Sequence, residues 1–503
     1  MDQTFYARSD FDECTVVSHN YKLFKQMAEE NGAYFSDAKT YRRNMAYFAN
    51  GNYIFKGRYI LNGTIRYEGS NLMGQTHQSR WLPTWNVSAA WLLSEEPWFI
   101  QSNLYKKRIW THAKLRASYS LTGESGPTSL ANAEALYYST RPWRQETDQM
   151  ELGLDLNALS NSELTYEKKH ELDLGADLGF VNNRINLVFD WYKRNNFDLI
   201  GRIYTEGVGG FSSKYANVAE MASHGVEFTL STRNIQGRNE DDFSWTTDFT
   251  FSYTKTKITK LNSRSRIIDL ITANGFALQD YPHRALFSIQ FAGLDNHGVP
   301  QCIDENGNVS VEGLNFQEYE KLGYLKYEGP VDPTISGGFG NNFSWKGLHL
   351  NVFITYSGGN KLRLDPVFAS SYSDQVAMPK EFKNRWVMPG DEAYTDIPAI
   401  ASRRQNYLNT TLNRAYSAYN YSTARVAKGD FIRLKEVSLT YDMPKAFLHF
   451  MRLNSCSLKL AATNLCLLYA DSKLNGEDPE YFNSGGVASP NPKQFTFTLR
   501  FGL

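Results

Sequence analysis

The chain has 503 residues, a formal net charge of zero and a sequence pI near 7.1, which excludes broad electrostatic capture of nucleic acid. Aromatic residues reach 14%, yet no stretch approaches the roughly 20 apolar residues of a membrane-spanning helix. The cysteines Cys14, Cys302, Cys456 and Cys466 lack zinc spacing and read as incidental apolar residues, so neither a metal, a cofactor nor a compartment follows from them.

Met1 is followed by DQTFYARSDFDEC, which has neither the basic region nor the apolar region of a secretory signal. Residues 1–39 are not assigned by this pattern and leave room for a first strand, within 13–27, and its loop. From residue 40 onward one pattern dominates. In YILNGTIRYEG, Tyr59, Leu61, Ile65 and Tyr67 oppose Asn62, Thr64, Arg66 and Glu68. KLRASYSLTG and ELDLGADLGF repeat the alternation, and RINLVFDWY follows after the short turn VNN (181–183). FSWTTDFTFSY, GLHLNVFITY and the terminal KQFTFTLRFGL do the same. Successive strand side chains point to opposite faces, so each segment is a strand with one apolar and one polar face. FIRLKEVSLTY changes parity between Leu434 and Val437, which predicts a β-bulge at Lys435/Glu436.

Read backwards from the C-terminus, strands are expected at 493–503, 455–467, 430–442, 347–359, 333–346, 243–261 and 215–235. They continue at 183–199, 164–180, 111–123, 79–94, 59–69 and 40–53. This order places every short turn at one end, provided that ALFSIQFAG (285–293) is not a simple crossing or that 294–332 supplies another. A strand within 13–27 would make fourteen. The long connections, about 124–163, 200–214, 360–429 and 470–492, gather at the other end. Short turns at one end and long loops at the other are the layout of an outer-membrane barrel.

The polar face is ionised on strand after strand: Arg66, Glu68, Lys114, Arg116, Glu171, Asp173, Asp177, Asp190, Glu227, Asp248 and Arg500. It must be wet. The opposite face is almost free of charge, as lipid contact requires, and Trp81, Trp85, Trp98, Trp110, Tyr356 and Tyr441 fall at strand ends, as in an interfacial girdle. Each feature alone also suits a soluble sandwich. Their combination with strand length and loop asymmetry favours lipid over a protein core, and gives an all-β transmembrane antiparallel barrel.

NSELTYEKKHELDLGADLGFVNNRINLVFDWYKRNNFDLI then resembles a strand pair of the SusC/RagA-type TonB-dependent outer-membrane transporters. GRYILNGTIRYEGSN, WLPTWNVSAAWLLSEEPWF, GDFIRLKEVSLTYDMP, LKLAATNLCLLY and PKQFTFTLRFGL follow in the order of that family. The chain departs from it at Tyr166, where Trp is frequent, and at Leu503, where Phe is common. No TonB box or globular plug is visible. The resemblance therefore implies that 40–503 is the C-terminal portion of a 22-stranded barrel, about fourteen strands of it. A plug and the remaining strands would come from the same or a separate polypeptide, and TonB would act only through that part.

By the same resemblance the chain belongs in the outer membrane of a Bacteroidetes-like Gram-negative bacterium. Its function would be import of oligosaccharides, or alternatively peptides, with a SusD-like surface lipoprotein as partner. A soluble secreted glycan-binding protein is the alternative from another class. No nucleophile motif occurs, and acidic pairs such as Asp173 and Asp177 read as wet wall residues, so no enzyme is expected. DENGN (304–308) places Val309 where a calcium loop needs glycine, and reads as a hairpin turn. Two loops carry rings and cations suited to sugar: Tyr137, Tyr138, Trp143 and Arg144 in one, Trp386 in the other. Packing of these rings within the loops is the competing reading.

Overall fold

The structure is a computed structural model. It describes residues 2–7, 35–40, 43–125, 136–140, 143–144, 149–150, 153–159, 161–205, 207, 213–239, 241–367, 380–401, 403–408, 410–482 and 491–502.

Thirteen strands form one continuous antiparallel sheet in chain order. They are β1 (Asn44–Phe55), β2 (Tyr59–Ser70), β3 (Trp81–Leu92), β4 (Trp110–Glu124), β5 (Glu167–Phe180), β6 (Ile185–Tyr204) and β7 (Ser213–Ile235). There follow β8 (Ser244–Leu261), β9 (Ile335–Trp345), β10 (Leu348–Gly358), β11 (Phe431–Asp442), β12 (Ser455–Ala470) and β13 (Gln494–Gly502). Each of the thirteen strands expected from 40 onward is present. The fourteenth, within 13–27, lies outside the described residues. The stretch 285–293 is not a crossing: it breaks into the short strands Ala285–Ser288 and Phe291–Leu294 within the connection 262–334.

Register confirms the two faces. Tyr59, Leu61, Ile65 and Tyr67 pair with Trp91, Ala89, Trp85 and Pro83, while Arg66 pairs with Thr84. Gly175 pairs with Arg116 on one side and Asp190 on the other, and Asp190 pairs with Glu227. The bulge is where parity placed it. Phe353 opposes Glu436 and Ile354 opposes Leu434, which leaves Lys435 unpaired.

Because every neighbour is antiparallel, connections alternate between the two ends. The short-turn end holds 56–58, 93–109, 181–184, 236–243, 346–347 and 443–454; the long-loop end holds 71–80, 125–166, 205–212, 262–334, 359–430 and 471–493. The turn 346–347 is a two-residue hairpin loop, with Lys346 at φ 48° and Gly347 at φ 79°. The loop expected over 200–214 is shorter than the sequence suggests. Pairing continues through Ile203↔Lys214 and Tyr204↔Ser213, so only 205–212 connect the strands.

The long strands β6–β8 show why the outer face is not apolar along its whole length. Ile185, Leu187, Phe189 and Trp191 of β6 share it with Thr232, Leu230, Phe228 and Val226 of β7. Beyond Trp191 the same face carries Lys193, His224 and Lys255. These strands outrun the apolar band toward the long-loop end. Aromatic rings mark the band's limits. Tyr59–Trp91, Trp110–Phe180 and Trp245–Phe343 stack near the short-turn end. Tyr67–Trp81 and Tyr119–His170–Phe197 stack near the other. Tyr59 and Tyr67 of β2 lie about 27 Å apart at strand rise, matching the apolar band of an outer-membrane barrel, about 25 Å tall.

A second body sits at the long-loop end, where 262–334 and 359–430 fold together. Ile267, Leu270, Ile271, Ala285, Ile289, Cys302 and Ala418 are each 0% exposed in its main cluster. A neighbouring cluster holds Val367, Phe382, Leu412, Tyr416 and Tyr419.

Candidate functional site

The surface able to contact a solute is the polar face of the sheet together with the loops above it. On the polar face several charges are paired, across strands or along one. Arg116 Nη2 lies 2.8 Å from both Asp177 Oδ1 and Asp190 Oδ1. Glu171 takes Arg194 and Lys169, each at 2.6 Å. Gly175 makes room for the Arg116–Asp190 pair, because a Cβ there would sit 2.3 Å from Asp190 Oδ1. Closer to the loops, Arg433 of β11 holds Asp478 Oδ1 at 2.5 Å and Glu480 Oε2 at 3.1 Å, tying 471–482 to the wall.

The loop body is cross-linked by buried arginines. The guanidinium of Arg363 donates to Phe287 O at 2.6 Å, Ser288 Oγ at 3.1 Å and Ser422 O at 2.9 Å, joining the two long connections. Burial pulls its pKa down to about 10. Arg425 pairs with Glu381, donates to Asp365 O at 2.5 Å and lies over the Tyr419 ring at 5.6 Å. Burial pushes the Tyr419 hydroxyl up to about 12. The backbone of Ile289 bonds to both Tyr421 and Thr423, closing the seam. A cavity of about 390 Å³ opens beside it, lined in part by Arg363, Asn413, Tyr416, Ser417 and Asn420.

The residues singled out in the sequence fall in two places. Tyr137 and Tyr138 lie on the short strand Leu136–Thr140, paired with Gly153–Ala158, and Trp143 and Arg144 pair with Gln149–Met150. The side chains of these four lie outside the described residues. Trp386 stands in the loop body, half-buried. It covers Gly298, where a Cβ would come 2.5 Å from the indole and where φ is 71°. Its Nε1 donates to Glu392 Oε2 at 2.9 Å, which holds that carboxyl below the usual carboxylate range. The DENGN segment is a hairpin turn, with a bridge between Ile303 and Val309, and Asp304 Oδ1 accepts from the Asn306 and Asn308 amides. Arg363, Arg425 and Arg433 were not singled out. Arg363 sits between Leu362 and Leu364 in KLRLDPV, and that local pattern gives no hint of its distant partners.

Among the described residues no helix is long and apolar enough to cross a membrane, which leaves the strands as the candidates. Tyr53, Ile65, Phe495 and Phe497 on the apolar face are 63%, 56%, 75% and 64% exposed. A soluble protein does not display such a face on thirteen strands. A family model described as TonB dependent receptor-like, beta-barrel matches residues 3–364. The chain belongs to this family.

TonB-dependent receptor P3 of Formosa agariphila is 28% identical over 90% of this chain and 45% of its own length. TonB-dependent receptor SusC of Bacteroides thetaiotaomicron is 24% identical over 99% and 46%. The RagAB peptide transporter structure superposes with a TM-score of 0.72 at 23% identity, over 93% of this chain and 48% of that one. The chain thus spans about half the length of the relatives it matches. This SusC-like β-barrel chain belongs to the outer membrane, as do its relatives in Bacteroidetes.

Proposed function

We propose that the chain forms the C-terminal wall and long-loop body of a TonB-dependent importer that takes up oligosaccharides with a SusD-like lipoprotein partner. It carries out no chemical reaction of its own. The long-loop end faces the cell exterior and the short-turn end the periplasm, in keeping with the loop asymmetry of outer-membrane barrels. The observation that carries the reading is the two-faced sheet, whose outer face suits lipid and whose inner face bears a paired-charge surface leading up to the loop body. The plug, the strands that pair with the edges β1 and β13, and contact with TonB belong to the part of the importer beyond these residues.

Tyr137, Tyr138, Trp143, Arg144 and Trp386 are the proposed sugar contacts, since rings stack on sugar faces and Arg bonds hydroxyls. The likeness to a peptide transporter favours peptides as the second reading. Calorimetric titration of the intact importer with oligosaccharide and peptide libraries separates them. Oligosaccharide binding that is lost in Trp143→Ala and Trp386→Ala supports the first, and binding of peptides alone overturns it.

A further inference from the structure

Where the long strands leave the apolar band, the same face carries a row of basic side chains. Lys193 of β6 pairs with His224 of β7, and His224 pairs with Lys255 of β8. All three are exposed. The next row toward the short-turn end is Trp191, Val226 and Tyr253, and after it come Phe189, Phe228 and Phe251. The basic row therefore stands one residue pair, about 7 Å at strand rise, beyond a row that holds two aromatic rings. Such rings mark the edge of the hydrocarbon, and the layer just outside them is that of the lipid headgroups.

Other lysines on these strands meet an acid. Lys168 of β5 lies 2.7 Å from Asp198, Lys257 of β8 lies 2.8 Å from Asp280, and Lys260 lies 3.4 Å from Glu220. Among the described residues, Lys193, His224 and Lys255 take part in no ion pair or side-chain hydrogen bond. Like charges on neighbouring strands destabilise a sheet, so two lysines flanking a histidine add nothing to the wall's own stability. An anion set over the histidine reverses that sign. Directly opposite Cβ atoms lie about 5 Å apart, which separates the two lysine stems by about 10 Å. Flexible stems at that separation bring both ammonium groups onto one phosphate.

We propose that Lys193, His224 and Lys255 hold one phosphate of a lipid headgroup in the outer leaflet. The occupant is a lipid because the row continues the lipid-facing side of the sheet. A molecule whose phosphate rests on the row lays its acyl chains down Phe189, Phe228 and Phe251. Cationic side chains near a bilayer surface draw anionic lipid at that level. Phosphate accepts charge-assisted hydrogen bonds from ammonium groups, and an uncharged sugar headgroup does not. The proposal rests on assigning the long-loop end to the cell exterior.

The test uses the intact importer purified in mild detergent, with bound lipid read by native mass spectrometry. The probes are lipid A, a phosphorylated glycolipid, and the same lipid A with its phosphates removed enzymatically. The protein is expected to retain the phosphorylated form in at least fivefold excess, and inorganic phosphate should not displace it. Lys193→Gln, His224→Gln and Lys255→Gln combined should bring the two forms to equal retention. Lys346→Gln, at the opposite end, should leave the ratio unchanged. Equal retention by the unmodified protein overturns the proposal, as does an unchanged ratio in the triple variant or an equal loss in Lys346→Gln. Displacement by inorganic phosphate would make the row a free-anion site and overturns it too, as does an acidic polypeptide co-purifying in the lipid's place. Heat-modifiable gel mobility reports folding. If the triple variant fails to fold, Lys193→Gln and Lys255→Gln decide singly, each expected to lower the ratio at least twofold. Orientation is tested separately. Labelling of Lys346→Cys, in a cysteine-free background on intact cells, by an impermeant maleimide would refute the assignment of the ends, whatever the lipid result.

Discussion

The sheet and the loop body are both rich in apolar side chains and rings, yet they place these groups oppositely. In the sheet, Tyr53, Ile65 and Phe497 are 63%, 56% and 64% exposed, whereas in the loop body Ile267, Leu270, Ile271 and Ile289 are 0% exposed. The two differ in where charge goes. Along its apolar band the wall keeps ions to one face and pairs several of them in solvent, as in the Arg116, Asp177 and Asp190 group. The loop body buries Arg363 and Arg425 and must satisfy them with carbonyls and a carboxylate. A body in water collapses onto its apolar groups, and a wall in lipid need not.

The comparison breaks first at Arg425. Arg425→Ala strands the Glu381 carboxylate and is expected to cost the loop body about 3–5 kcal/mol. Hydrogen exchange should quicken across 380–425 and stay unchanged in β9 and β10. Loss of protection in the sheet as well would mean that the two bodies fold as one.

The wall is probed by a pair of neighbours on β8. Phe251 lies on the apolar face opposite Phe228, and Ser252 lies on the polar face opposite Glu227. Phe251→Arg should destabilise by about 2–4 kcal/mol in reconstituted bilayers. Ser252→Arg should change stability by less than about 1 kcal/mol. Denaturant midpoints measure both, and equal effects would erase the distinction between the faces.

A smaller effect is expected at Gly175. Gly175→Val drives Arg116 off Asp190, a solvent-reached pair worth about 1 kcal/mol or less. Unfolding should barely change, while the spacing of spin labels on β4 and β6 across the polar face widens.

The smallest effect is in the loop body. The indole of Trp386 holds the Glu392 carboxyl below its ordinary value. A depressed carboxyl contributes its stabilisation above the unfolded pKa, about 4.3, and loses it as pH falls through the folded value. The indole fluorescence difference between the protein and Trp386→Phe should therefore be constant above that pH and change below it. A change centred on neutral pH would contradict the contact.

These contrasts also explain what the sequence could convey. Period-two alternation names a strand and its faces locally, so β1–β13 and the bulge at Lys435 were legible from adjacent residues. The loop body is held by pairs far apart in the chain, such as Ile289 with Tyr421 and Arg363 with Phe287. Alternation in 285–293 therefore left open whether that stretch crosses, and nothing local marked the connection 262–334 as one unit with 359–430. Among candidate contacts, Trp386 was visible as a ring in a loop. Its bond to Glu392 and its close approach to Gly298 depend on the fold and were not.

If the sheet is a membrane wall, the odd-numbered residues of β8 from Trp245 to Tyr253 face lipid. Spin labels placed singly along 244–257, in a cysteine-free protein in native outer membranes, test it through collisional access to oxygen and to an aqueous nickel complex. Oxygen access should peak at 245, 247, 249, 251 and 253, and nickel access at the even positions and at 255 and 257. Equal nickel access at 249, 250, 251 and 252 would contradict it.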